Sequence, residues 1–219
     1  MTTHTEQERL DQRSIDTVVF DLGGVLIDWN PRYLYRKIFG TDTEKMEAFL
    51  ATVCNTQWNE FQDRGRPWEE AITEATTQHP EHQANIRAYY DRWPEMLGEA
   101  ISGTVRILEE LRASGVRLLA LTNWSAETFH HATDRYSFLE HFEGILVSGR
   151  ERLMKPESEI FQLLTRRYHL TPERTAFIDD SQRNVDAAKQ LGFESLLFRT
   201  PDELRDALRT LRIGSPTDH

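Results

Sequence analysis

A regular alternation of helix and strand patterns begins at about Gly103 and continues almost to the end of the chain. The segment GTVRILEELRASG has apolar residues at helical spacing and a closing glycine, and the compact apolar run VRLLALTN follows it. The strand patterns GILVS, RTAFIDD and ESLLF come next, with helices predicted over about 125–139 and 156–168, after Ser181 and from Pro201. Repeated βα units of this kind predict a parallel sheet with helices on both faces.

One further strand pattern, IDTVVFDLGGVL, stands far from the others, and its apolar run ends at Asp21. We expect this strand at the centre of the sheet, flanked by the strands that end at Thr122 and Asp179. The stretch from about Asn30 to Ser102 carries long helical patterns such as EKMEAFLATVCNTQWNEF and no convincing strand. The sequence therefore predicts an α/β, Rossmann-like core with an inserted all-helical cap. The predicted bounds are residues 15–29 and 101–213 for the core, 30–100 for the cap, and 1–14 and 214–219 for two flexible tails.

The composition limits what such a chain can bind. At 219 residues, with 38% hydrophobic and 28% charged residues, the chain fits one core with a modest inserted module. No apolar run approaches the ~20 residues that span a bilayer, and the polar start MTTHTEQERLDQRS is unlike a secretory leader. A net charge of −10 disfavours nonspecific binding to nucleic acid or to an anionic membrane. Cys54 is the one cysteine, which fits a reducing compartment, so we predict a cytoplasmic protein.

Four short motifs fall at the carboxyl ends of predicted strands: VVFDLGGV, LTN, KP and FIDDS. The carboxyl ends of parallel strands meet at one edge of a sheet, where open α/β folds bind ligands. Taken singly, the motifs have ordinary structural explanations. These are a turn after Asp21, a helix cap at Thr122 and Asn123, and a surface Lys155 before a helix-starting proline. All four in order, on the right elements, indicate a catalytic site.

The residue types of these motifs suit phosphate chemistry. The adjacent carboxylates of FIDD would repel one another unless a cation or hydrogen-bond donors compensated them. Mg²⁺ prefers oxygen ligands and commonly takes one or two carboxylates together with substrate phosphate, so Asp21 and Asp180 are candidate ligands. An aspartate beside such an ion can also attack phosphorus and form an aspartyl-phosphate. Thr122, Asn123 and Lys155 are then expected to hold the phosphoryl oxygens.

VVFDLGGVL, LALTN, MKPESEIF and FIDDSQRNVDAA resemble, in this order, the motifs of the haloacid dehalogenase (HAD) superfamily over nearly the whole core. The helical insertion is also similar to the cap that many members carry. The resemblance implies a HAD-like fold with Asp21 as nucleophile, Thr122 as phosphate binder and Lys155 as charge stabiliser. It further implies that Asp180 and the backbone carbonyl of Gly23 bind Mg²⁺ together with Asp21.

One position departs from the family pattern. The phosphatases that this chain resembles commonly carry a second aspartate two residues after the nucleophile, where it acts as general acid and base, and this chain has Gly23 there. General acid–base catalysis is worth ~10²–10⁴ in rate, so the departure implies slow turnover, a substitute acid or a good leaving group. Asp28 is a candidate substitute, with a solvated turn carboxylate as the alternative. A subgroup similar to bacterial sugar-phosphate phosphatases has a similar Asp-Leu-Gly start, so the departure does not by itself indicate an inactive protein.

The loop QDRGRP, between two predicted cap helices, is the best candidate for a segment that points into the site. Its glycine allows a turn, its proline starts the next helix, and Arg64 or Arg66 would supply the positive charge that an anionic substrate needs. A solvated basic turn is the alternative. Trp29 and Arg32 follow the first motif closely and are predicted to line the entrance, whereas Trp93 is interpreted as a core aromatic of the cap.

The predicted function is a magnesium-dependent phosphatase that acts on a small phosphorylated metabolite through an aspartyl-phosphate. Two alternatives stay open. A 2-haloacid dehalogenase would use Asp21 to attack carbon, and a halide leaving group would not need to be protonated. Against this alternative, dehalogenases of the family carry an aromatic residue at the position of Gly23 and need no metal. A noncatalytic protein that binds phosphometabolites would keep the fold without turnover. The expected assembly is a monomer or a homodimer.

Overall fold

The computed structural model describes residues 14–214. The strands are β1 (Thr17–Phe20), β2 (Ile27–Trp29), β3 (Leu97–Ala100), β4 (Arg117–Thr122), β5 (Gly144–Val147), β6 (Thr175–Asp179) and β7 (Glu194–Leu197). The α-helices are α1 (Arg32–Phe39), α2 (Thr43–Thr52), α3 (Thr56–Asp63), α4 (Trp68–Gln78), α5 (Gln83–Asp91), α6 (Ser102–Ala113), α7 (His130–Arg135), α8 (Ser148–Glu151), α9 (Ser158–Tyr168), α10 (Gln182–Gln190) and α11 (Pro201–Thr210). Short 3₁₀ helices lie at Pro80–His82, Trp93–Met96, Ser137–His141 and Pro172–Arg174.

The central sheet has five strands in the order β5-β4-β1-β6-β7. β1 lies in the middle and pairs in parallel with β4 and β6, with Phe20 opposite Ala120 and Ile178. All four residues of β1 are buried, as expected for a strand that is covered on both faces. The predicted parallel sheet, with the strand that leads to Asp21 at its centre, is confirmed.

Side chains of the sheet alternate between two apolar layers, one on each face. Val19, Leu119 and Phe177 belong to a cluster with residues of α9 and α10. Phe20 and Ile178 belong to a second cluster, which includes residues of α6, α11 and the cap. Burial of each such side chain stabilises the fold by ~1.5–3 kcal/mol, so the edge that carries the motifs rests on a well-packed core.

β2 and β3 form a short antiparallel ribbon where the chain leaves the core for the cap and where it returns. The prediction of an all-helical insertion is wrong here, because Leu97–Ala100 is a strand. Its sequence, LGEA, has little strand preference of its own, and it becomes a strand because Ile27–Trp29 supplies a partner. Gly98 allows the close approach, since a Cβ at this position would lie 2.5 Å from Asp28 Oδ2.

Two helices differ from the prediction for local reasons. The helix expected over 125–139 is shorter, because Ser125 starts a turn and its Oγ accepts a hydrogen bond from Trp68 Nε1 of the cap at 3.0 Å. The long helix expected over EKMEAFLATVCNTQWNEF is divided into α2 and α3. The division occurs because Asn55 caps α3, with its Oδ1 accepting from Trp58 N at 2.8 Å.

The predicted boundaries between core and cap, after residue 29 and after residue 100, divide the ribbon, since β2 lies in the predicted core and its partner β3 in the predicted cap. The predicted flexible tails lie outside the described residues, apart from Ser14 and Gly214. Within residues 14–214, no helix has the length and apolar character needed to cross a membrane.

Candidate active site

Lys155 lies at the centre of the polar residues that meet at the carboxyl edge of the sheet. Its Nζ is 2.9 Å from Asp21 Oδ1 and 2.7 Å from Asp179 Oδ2, and it donates a hydrogen bond to the carbonyl of Leu121 at 2.8 Å. Lys155 is 0% exposed. Burial alone would lower the pKa of Lys155, but the carboxylates of Asp179 and Asp21 outweigh this effect, so its pKa is raised. The ammonium group therefore stays charged and joins the ends of three neighbouring strands.

Asn123 fixes the backbone of this lysine. Its Oδ1 accepts a hydrogen bond from Lys155 N and its Nδ2 donates one to Lys155 O, both at 2.9 Å. We predicted Asn123 as a direct donor to phosphate, whereas in the structure both ends of its amide position Lys155. Thr122, the predicted phosphate binder, is the last residue of β4 and is 1% exposed.

Asp179 is held by the protein on both of its oxygens. Ser181 N and Asn184 Nδ2 each donate to Asp179 Oδ1 at 2.9 Å, and Lys155 Nζ donates to Oδ2. Asp179 is also 0% exposed. It therefore positions Lys155 rather than offering a free ligand.

Asp21 directly follows β1 and is nearly buried. Leu22 N donates a hydrogen bond to Asp21 Oδ1 at 2.7 Å. Burial raises the pKa of Asp21, and Asp179 and Asp180 raise it further, while Lys155 acts in the opposite direction. Additional positive charge at this edge would favour the ionised form of Asp21.

The donor set fits a hard divalent cation. Carboxylate oxygens of Asp21, Asp179 and Asp180 all lie within 4.8 Å of one another, and Lys155 offsets only part of their charge. Gly24 leaves the space that Asp180 occupies, because a Cβ at Gly24 would lie 2.2 Å from Asp180 Oδ2. Oxygen donors with an excess of negative charge are the ligands that Mg²⁺ prefers. Asp21 and Asp180 are the available carboxylates of this group, since Asp179 is already bonded on both oxygens.

A cavity of about 510 Å³ lies beside this group, within the size range of small-molecule sites. Its wall includes Asn123 and Asp180 from the core, and Trp29, Arg32 and Asp63 from the ribbon and the cap. A smaller recess of about 80 Å³ shares part of this wall. The recess is lined by Gly23, Trp29, Asn59, Asp63, Trp93, Asn123 and Trp124.

The predicted substrate-binding residues have different positions. Trp29 and Arg32 line the cavity, but Nε and Nη2 of Arg32 both donate to Glu47 at 2.6 Å, so its charge is partly neutralised. Arg64 forms an ion pair with Glu157 of the core, and it is not among the described residues that line the cavity or the recess. The structure thus brings Trp29 and Arg32 to the site and leaves Arg64 outside it.

Several residues of the walls were missed as site residues, among them Asp63, Trp93 and Arg183. Asp63 lies in the segment QDRGRP, in which only the arginines were predicted to face the site. Trp93 is buried, as interpreted, but it also lines the recess. Arg183 lines the cavity and forms an ion pair with Glu60. Arg183 belongs to the fourth motif, so its closeness to Asp180 in sequence was an available signal.

Comparison with known proteins identifies the family of the chain. A family model described as haloacid dehalogenase-like hydrolase matches residues 15–192. The chain is 28% identical to a sesquiterpene phosphatase of Aspergillus oryzae, over 88% of this chain and 91% of the relative. It is 22% identical to a phosphorylated carbohydrates phosphatase of Thermotoga maritima, over 92% of each chain.

Among solved structures, a HAD family enzyme of Bacteroides thetaiotaomicron in a magnesium complex superposes with a TM-score of 0.68 and 21% identity. The superposition covers 90% of this chain and 99% of that one, which supports a common fold. The family match contains all four motifs, from Asp21 to Asp180, together with the inserted cap. The chain therefore belongs to the haloacid dehalogenase-like hydrolase family.

Proposed function

We propose that this hydrolase is a magnesium-dependent phosphatase that acts on a small phosphorylated metabolite through an aspartyl-phosphate at Asp21. The observation that carries the proposal is the pairing of Asp21 with Lys155, among carboxylates and beside a cavity that has Asp180 in its wall. Two relatives that cover most of this chain are named as phosphatases, one of sesquiterpenes and one of phosphorylated carbohydrates, and both names support phosphoester hydrolysis.

The contacts of Asp21 indicate which of its oxygens reacts. Leu22 N and Lys155 Nζ both approach Oδ1, so we assign Oδ2 to the attack. A bond forms between Oδ2 and phosphorus while the bond from phosphorus to the leaving oxygen breaks, and the leaving oxygen takes up a proton. A water oxygen then bonds to phosphorus, the bond from Asp21 to phosphorus breaks, and inorganic phosphate leaves. Lys155 remains charged and offsets the negative charge that develops beside Asp21.

Asp21, Asp180 and the backbone carbonyl of Gly23 are the groups that we propose to hold Mg²⁺. When bound, the ion supplies positive charge to the phosphoryl oxygens. The excess of carboxylates over cations at this edge supports the assignment.

Asp180→Ala is expected to abolish the rise in unfolding temperature that Mg²⁺ gives the wild-type protein. The variant loses one of the two carboxylates available to the ion, and an ion at one hundred times its Kd stabilises a protein by about 2.7 kcal/mol. Thermal unfolding with Mg²⁺ and with EDTA measures the effect. Asp186→Ala, which removes an exposed carboxylate of α10, is the control and should keep the wild-type shift. An equal shift in Asp180→Ala would count against the assignment.

A panel of phosphomonoesters and 2-haloacids, each assayed with Mg²⁺ and with EDTA, tests the proposed function. We expect phosphate release that requires Mg²⁺ and no halide release. Halide release that survives EDTA would instead support a dehalogenase. Release of neither product would support a noncatalytic protein that binds phosphometabolites.

We further propose that the enzyme works in the cytoplasm as a monomer or a homodimer. The free, buried thiol of Cys54 and the net charge of −10 fit a reducing compartment and a partner that is neither nucleic acid nor a membrane surface. Size-exclusion chromatography with light scattering distinguishes the two assemblies.

A further inference from the structure

The proposed reaction needs a proton donor for the leaving oxygen, and the first motif does not provide one. The phosphatases that this chain resembles commonly carry an acidic aspartate at the position of Gly23, which has no side chain. Apart from its chain neighbours, nothing lies within 4 Å of a Cβ built at Gly23. The space beside Gly23 is the recess of about 80 Å³, whose wall includes Trp29, Trp93 and Trp124. Among the described residues that line this recess, Asp63 is the one with a carboxyl group.

The side chain of Asp63 is directed toward the core. Asp63 is the last residue of α3, and its carboxyl group accepts a hydrogen bond from the backbone of Ser125, in the loop that follows β4. Asn59 Nδ2 donates to Asp63 Oδ2 at 2.9 Å. A carboxyl group of the cap is therefore fixed next to the loop that contains Asn123, and both residues line the recess.

The backbone around Asp63 is also pressed against the core. The Asp63 carbonyl accepts a hydrogen bond from Ser148 Oγ at the start of α8. Gly65 has a φ of 97°, and a Cβ there would lie 2.8 Å from the carbonyl oxygen of Gly149. This close approach places the end of α3 at the site in the described structure, without a movement of the cap.

The surroundings of Asp63 favour its protonated form. The pKa of Asp63 is raised to about 7, mainly by burial and further by the carboxylates of Glu60 and Asp21. The hydrogen bond from the Ser125 backbone lowers the pKa but does not cancel the rise. Besides Asp63, the charged side chains of the cavity wall are Arg32, Glu60, Asp180 and Arg183. A carboxyl group that is partly protonated at neutral pH can donate a proton in one step and accept one in the next.

Asp28, the substitute acid suggested by the sequence, is placed differently. Its Oδ2 accepts a hydrogen bond from the Tyr33 hydroxyl at 2.5 Å, and Gly98 packs against the same oxygen. Asp28 is not among the described residues that line the recess or the cavity. It is therefore a poor candidate for proton transfer to a bound substrate.

We propose that Asp63 is the general acid and base of the reaction, supplied by the cap to the space that Gly23 leaves open. The inference rests on the proposed phosphatase function. As the bond from phosphorus to the leaving oxygen breaks, that oxygen takes the proton of the Asp63 carboxyl group, and the product leaves as a neutral alcohol. As a water oxygen then bonds to phosphorus, the Asp63 carboxylate takes the water proton and the bond from Asp21 to phosphorus breaks. The cycle returns Asp63 to its protonated form.

Asp63→Asn tests this role, because the amide keeps the shape of the side chain and cannot deliver the proton. Benzyl phosphate and 4-nitrophenyl phosphate have similar shapes, but the benzyl alkoxide needs a proton to leave and 4-nitrophenolate barely does. In the presence of Mg²⁺, we expect kcat/KM for benzyl phosphate to fall ~10²–10⁴-fold and that for 4-nitrophenyl phosphate to fall less than about tenfold. Retained activity on the aryl ester also shows that the variant is folded.

Asp28→Asn is the matched control and should keep the wild-type ratio of the two rates. Three results would overturn the assignment of Asp63 and leave the phosphatase function standing. These are equal losses on both esters, full benzyl phosphate activity in Asp63→Asn, and a selective loss in Asp28→Asn. Wild-type activity on the aryl ester alone would also overturn it, since no acid would then be acting. Wild-type protein that hydrolyses neither ester would refute the proposed function itself.

Discussion

Asp21→Asn is expected to lower phosphate release by more than about 10⁴-fold for every phosphomonoester, because the proposed route runs through a covalent bond between Asp21 and phosphorus. The amide has the size of the carboxylate and can still approach Leu22 N, but it cannot form the bond to phosphorus. Steady-state release of phosphate with Mg²⁺ measures the loss. The loss should be the same for alkyl and aryl esters, which distinguishes the nucleophile from a proton donor.

Mass spectrometry after acid quenching provides a second measurement on Asp21. During turnover, the wild-type peptide that contains Asp21 should carry one phosphoryl group, and the variant peptide should carry none. Asp16→Asn is the control, since Asp16 lies before β1 and pairs with Arg174 at 2.7 Å, away from the site. Residual activity of Asp21→Asn within about 100-fold of the wild type would contradict the aspartyl-phosphate route.

Lys155→Met is expected to lower the free energy of unfolding by about 3–5 kcal/mol, since removal of one partner leaves buried charges without compensation. The stranded groups are the carboxylates of Asp21 and Asp179, which lie 2.9 and 2.7 Å from Lys155 Nζ. Phosphatase activity should be lost as well, because the cation beside Asp21, the proposed nucleophile, is removed. Urea unfolding at pH 7 in EDTA measures the stability without a contribution from bound metal.

A second substitution tests the cause of this destabilisation. In Lys155→Met/Asp179→Asn one stranded charge is removed, so part of the lost free energy of unfolding should return while activity stays absent. Lys37→Met is the surface control, because it breaks an ion pair with Glu95 in which the side chains are 56% and 33% exposed. Exposed pairs of this kind are worth less than about 1 kcal/mol. A cost that small for Lys155→Met would refute the view that its charge stabilises the core.

The core of the site follows from local sequence and one topological rule. The strands that lead to Asp21, Thr122 and Asp179 are short apolar runs bounded by turn residues, and such runs can be recognised without a structure. Parallel strands bring their carboxyl ends to the same edge. The convergence of Asp21 with Asp180 and Lys155 therefore needed no knowledge of side-chain packing, and the structure brings them together.

The features that the sequence did not predict depend on contacts between distant segments. Residues 97–100 form a strand because Ile27–Trp29 lies beside them, and their own side chains do not signal it. Arg64 and Asp63 are adjacent in the chain, yet Arg64 pairs with Glu157 while Asp63 lines the recess. The packing of α3 against the core decides which of these two neighbours faces the recess. This packing involves segments far apart in the chain, so the residues around Asp63 do not reveal it.

The antiparallel pairing of β2 and β3 brings the two ends of the cap together, so the cap can be exchanged as a unit. The inserted segment leaves and re-enters the core through neighbouring strands, so a foreign insert could replace residues 30–96 without rewiring the central sheet. Replacement of the cap would then change the substrate preference while the groups for phosphoryl transfer in the core stay nearly unchanged. The exception is Asp63, the proposed general acid and base, because a chimera would lose it together with the old cap. On this proposal, such a chimera needs a carboxyl group on its new cap, or an aspartate at Gly23, to turn over alkyl esters.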